Sequence, residues 1–90
     1  MVPDIVIEVV SPHDLAEVVD ERITDFLLAG VPLIWVVYPL TRHIVIYRSD
    51  GSGGWIGQDG VLSGENVLSG FTCPLRELFP AIEGDPQPSA

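Results

Sequence analysis

The chain contains no lysine. Its 90 residues hold 13 acids against four arginines, for a net charge of −9. Nucleic-acid affinity normally rests on Lys and Arg that neutralise phosphates, so composition alone supplies no nucleic-acid footprint. Cysteine is almost missing as well. Cys73 stands alone, which excludes an internal disulfide and a Cys-rich zinc site. Long apolar runs are also missing. The longest, Val31 to Leu40, is interrupted by Pro32 and Pro39 and falls far short of the roughly 20 residues that span a bilayer. No basic segment followed by an apolar one opens the chain, so no signal peptide is read and a cytoplasmic location is the expectation.

What is present is a globular composition, 47% hydrophobic. This length allows one small domain. Residues 1–80 read as that domain. Residues 81–90, with their prolines, acids and small residues, read as a flexible tail.

The stretch VPDIVIEVVSP opens the chain with a strand, Asp4 to Val10. Ile5, Val6, Ile7, Val9 and Val10 give it the composition of a strand buried on both faces. Ser11 reads as a helix N-cap and Pro12 as the first helical position. The helix should run to about Ala29, with Gly30 closing it. Leu15, Val18, Val19, Ile23, Phe26 and Leu27 form its apolar stripe. Leu33 to Tyr38 is a second apolar strand and His43 to Arg48 a third, joined as an antiparallel hairpin. A glycine-rich turn at 50–54 precedes two short strand fragments, Trp55 to Gly57 and Gly60 to Leu62. Pro74 to Phe79 reads as a helical turn. Strand, helix, strand gives an α/β fold with a mixed sheet. Its first two strands should be parallel and central, with an antiparallel flank.

Glu8 sits in the middle of the first strand. A carboxylate among aliphatics is costly unless it meets a cation. Alternation places Asp4, Val6, Glu8 and Val10 on one face. Arg22 falls on the apolar stripe of the helix, between Val18/Val19 and Phe26. The helix runs back along the strand, and an extended arginine bridges the remaining offset of roughly 7 Å. The two residues therefore explain each other, either as an ion pair alone or as part of a site. His13 and His43 read as surface residues. Cys73 reads as an inert thiol. Trp35, Tyr38 and Tyr47 read as packing residues.

The order PDIVIEVVSP, ERITDFLLAGVP, LIWVVYP, a TR-x-IVIYR hairpin and VLSGENVLSGFTCPLRELF resembles the Uma-two family of restriction endonucleases, within the PD-(D/E)XK nuclease superfamily. The resemblance covers residues 3–80 and implies that residues 1–80 are the C-terminal part of a restriction-endonuclease-like domain. It implies a restriction-endonuclease-like core and cleavage of a DNA phosphodiester with magnesium or manganese. Glu8 matches the glutamate of the family's third motif, as a catalytic residue and metal ligand. The lysine that usually ends this motif is Val10 here, and the family supplies it from the next helix, where Arg22 stands. Asp4 matches the acid that begins the strand and becomes a second metal ligand.

Three departures follow. Arginine replaces lysine at position 22, Tyr38 stands where the family usually has aspartate, and the family's upstream metal-binding aspartate has no counterpart before Pro3. Catalysis by this chain is therefore expected to be impaired. The alternative is a non-catalytic interaction or dimerisation module, because a sheet without its usual edge strands presents unpaired backbone and favours a homodimer.

Overall fold

The computed structural model describes residues 1–83. Five elements build its main layer. They are β1 (Ile5–Val9), α1 (Ala16–Leu28), β2 (Leu33–Tyr38), β3 (His43–Arg48) and β4 (Gly53–Ile56). The four strands form one sheet in the order β1-β2-β3-β4. β1 and β2 are parallel, and the remaining pairs are antiparallel. A second, two-stranded sheet joins β5 (Val61–Ser63) to β6 (Thr72–Pro74), and α2 (Leu75–Glu83) follows directly. α2 thus extends past Pro80 into the segment read as a tail. The rest of that segment, 84–90, lies outside the described residues.

β2 is the strand around which both layers form. Leu33, Trp35 and Val37 point to one side and pack with Ile44, Ile46, Leu62, Leu75 and Phe79. Ile34 and Val36 point to the other and pack with Val19, Ile23 and Val31. Every residue of β2 before Tyr38 is buried, as a near-continuous apolar run requires. α2 contributes Leu75 and Phe79, both almost fully enclosed, at the four-residue spacing of one helix face. A bidentate ion pair reinforces this layer. Arg48 Nε donates to Glu65 Oε1 at 2.9 Å and Nη2 to Oε2 at 2.9 Å. It ties β3 to the loop after β5.

Two expectations need correction. β1 is not central. Among the described strands it lies at one edge, and its outward face is open, with Ile7 55% and Val9 49% exposed. Of the β1 residues on this face, only Ile5 packs against the cluster that α2 and the small sheet build with β2 and β3. Residue composition signals an apolar strand, but not which of its neighbours are present. The helix also starts late, at Ala16 instead of Pro12. Ser11 N–H donates to Asp14 Oδ2 at 2.8 Å and His13 N–H to Ser11 Oγ at 3.1 Å. These local bonds offer residues 11–14 an alternative to helical pairing. Leu15 and Val18, placed on the apolar stripe by periodicity, are exposed at this late start. The C-terminal end agrees with expectation. Gly30 has φ +93°, Gly30 N–H bonds Leu27 O and Val31 N–H bonds Phe26 O, the paired closure that favours glycine.

Candidate functional site

Glu8 and Arg22 meet. Arg22 Nη2 lies 2.7 Å from Glu8 Oε1. Glu8 occupies the α1-facing side of β1, in register with Val36 of β2. Its side chain is 20% exposed and that of Arg22 40%, so the pair is half-buried. Asp14 completes the arrangement, with its Oδ2 at 3.8 Å from the same Nη2. The oxygen that holds Ser11 N–H therefore also faces the guanidinium. In a helix that began at Pro12, Asp14 would stand in the first turn. A carboxylate three residues after Ser11 is a signal for this turn, but its contact with Arg22 depends on the loop's path. Arg22 Nε is buried and has no hydrogen-bond partner.

Beside this network lies an open cleft of about 410 Å³. It sits where β1 and β2 end, between them and α1, and is lined by Val10, Asp14, Val19, Asp20, Tyr38 and Tyr47. Crevices past the carboxyl ends of parallel strands are the usual ligand positions in open α/β sheets. Tyr47 is affected by this position. Burial, then the neighbouring Tyr38 and Asp20, push its phenol above the usual value of 10.0.

His43 is not a plain surface residue. Its ring stacks on Tyr38 at 4.6 Å and on Trp55 at 5.3 Å. Asp4 lies exposed just before β1. Cys73 is a free, half-buried thiol in β6.

The resemblance implies a divalent cation held by Glu8 and Asp4. The donor set does not fit one. Among the described residues no group of three or more His, Cys, Asp and Glu could hold a metal ion. Glu8 already has its counter-charge in Arg22. The unpartnered Arg22 Nε is a donor, which suits an anion rather than a cation.

A mixed sheet with one crossover helix and this site at its strand ends is the restriction-endonuclease-like α/β class. A crystal structure titled "putative nuclease belonging to DUF820" from Anabaena variabilis is similar, with a TM-score of 0.77 and 22% identity. The match covers 88% of this chain and 45% of that one, so the chain spans less than half of that protein. The Uma2 family, described as "Putative restriction endonuclease", matches residues 1–76, and the chain belongs to that family. The comparison with curated proteins gives no match.

The Tyr47 environment makes a pH prediction. The folded chain holds the phenol proton above the ordinary pKa, where the unfolded chain has lost it. Stability should therefore fall as pH rises from about 10 through the folded value. Urea midpoints measured across that range should fall less in Tyr47→Phe than in wild type. An identical fall in both would contradict the assignment.

Proposed function

We propose that this chain carries part of the catalytic site of a DNA phosphodiester hydrolase of the restriction-endonuclease type, with Glu8 and Arg22 as its working residues. The observation that carries the reading is their contact at 2.7 Å, because these are the two positions that the family motif selects. Hydrolysis builds negative charge on the phosphoryl oxygens. A guanidinium matches those oxygens in shape and charge. Glu8 and Asp14 position the Arg22 guanidinium, and the side chain is 40% exposed, which leaves part of it open to an acceptor oxygen. DNA is the substrate on this reading, and a cytoplasmic location goes with it. Magnesium or manganese on Glu8 and Asp4 is the family's expected cofactor. The described residues do not build that site, so the chain on its own is proposed to be a weak enzyme.

Plasmid nicking in magnesium or manganese tests this. The folded chain should nick slowly, and Glu8→Gln should lower the rate by about 100-fold. No nicking at all, or equal nicking by Glu8→Gln, would contradict the enzymatic role.

A second reading, a homodimerisation module, is favoured by the open side of β1. Its apolar Ile7 and Val9 are exposed, and no described strand pairs with its outer edge. Unpaired strand edges invite pairing. Sedimentation equilibrium at micromolar concentration should then give a dimer, and a monomer would remove this reading.

A further inference from the structure

At the opposite edge of the main sheet, Trp55 is 67% exposed. Leaving the largest aromatic side chain in water forgoes more burial than leaving any other. Its ring is nevertheless held in place. His43 stacks on it with an interplanar angle of 24°, and Tyr38 stacks on His43 at 10°. Both centroid separations lie in the offset-stacking range. Thr41 Oγ1, 2.7 Å from His43 Nδ1, fixes the central ring. Gly57 leaves room for the indole. A Cβ there would lie 2.9 Å from Trp55 Cζ3. Three strands therefore build a preformed aromatic ladder whose end ring is open to solvent.

The ladder is on the same side of the sheet as Glu8. Glu8, Val36, Val45 and Trp55 occupy one cross-strand row. Three strand spacings separate its ends, about 14 Å. An acidic chain attracts nucleic acid only weakly through phosphates, because a net charge of −9 opposes the approach of a polyanion. Stacking adds a mode of nucleic-acid contact that this charge does not oppose. Every base has a π-face, and stacking needs no charge. We infer that the Tyr38–His43–Trp55 ladder is a stacking platform for an unstacked nucleobase of a single strand, a few nucleotides from the phosphate that the Glu8–Arg22 site would engage. The choice of ligand rests on the nuclease reading. The platform itself rests on the stacked rings.

Intrinsic fluorescence tests it, because the two tryptophans differ. Trp35 is 3% exposed, and Trp55 faces solvent. The probe is a short thymidylate single strand, without metal, in enough salt to screen repulsion. It should quench the exposed indole. An abasic strand with the same phosphates should not. Read by the anisotropy of an end-labelled strand, Trp55→Leu should bind about 5- to 150-fold more weakly, and Trp55→Phe should stay within a few-fold of wild type. Gly57→Ala should weaken binding by displacing the indole. Affinity should not fall with added salt, as it does for phosphate-driven binding. No quenching, equal quenching by the abasic strand, or unchanged binding by Trp55→Leu would overturn the platform. Quenching in a chain that never nicks plasmid supports the platform and removes the catalytic reading. Nicking by a chain whose indole is never quenched overturns the platform alone.

Discussion

The contact between Glu8 and Arg22 joins an edge strand to the helix that covers it. β1 is held on one side by β2 and on one face by α1, and on its other face only Ile5 packs against the opposite core cluster. A carboxylate in this position would be costly if left alone. Arg22 supplies the charge and Asp14 shares it. The same three residues bring together the end of β1, the turn before α1 and the middle of α1. Of the three, Asp14 also lines the cleft. One ionic contact thus positions the candidate site and seats the helix beside it.

β2 supplies the rigidity behind that arrangement. It has two apolar faces and separates the helical layer from the layer of α2 and the small sheet. Its parallel register with β1 puts Glu8 opposite Val36, and its antiparallel register with β3 carries the row on through Val45 to Trp55. Features at opposite edges of the sheet are therefore fixed relative to each other by a central strand that contains no polar residue before Tyr38.

Much of this was legible from residue order. Leu33–Tyr38 and His43–Arg48 are strands with the expected bounds. The helix closes at Gly30, and Glu8 meets the arginine that interrupts the helix stripe. Periodicity carries those readings because each depends on side chains within one or two elements. Other features depend on neighbours. The edge position of β1 is set by which strands flank it, and an apolar run is silent on that. The late helix start comes from hydrogen bonds of Ser11 and Asp14 that compete with helical ones. β6 has three residues, too few for a periodic signal. The aromatic ladder joins residues 38, 43 and 55, which become adjacent only once the register of β2, β3 and β4 is set.

The central claim is that Glu8 takes its counter-charge from Arg22. A double-mutant cycle with Glu8→Gln and Arg22→Gln, read by urea unfolding, measures that coupling directly. For a half-buried pair in contact it should be about 1–2 kcal/mol. Additivity within about 0.3 kcal/mol would contradict the account, because the two side chains would then be neighbours without being partners.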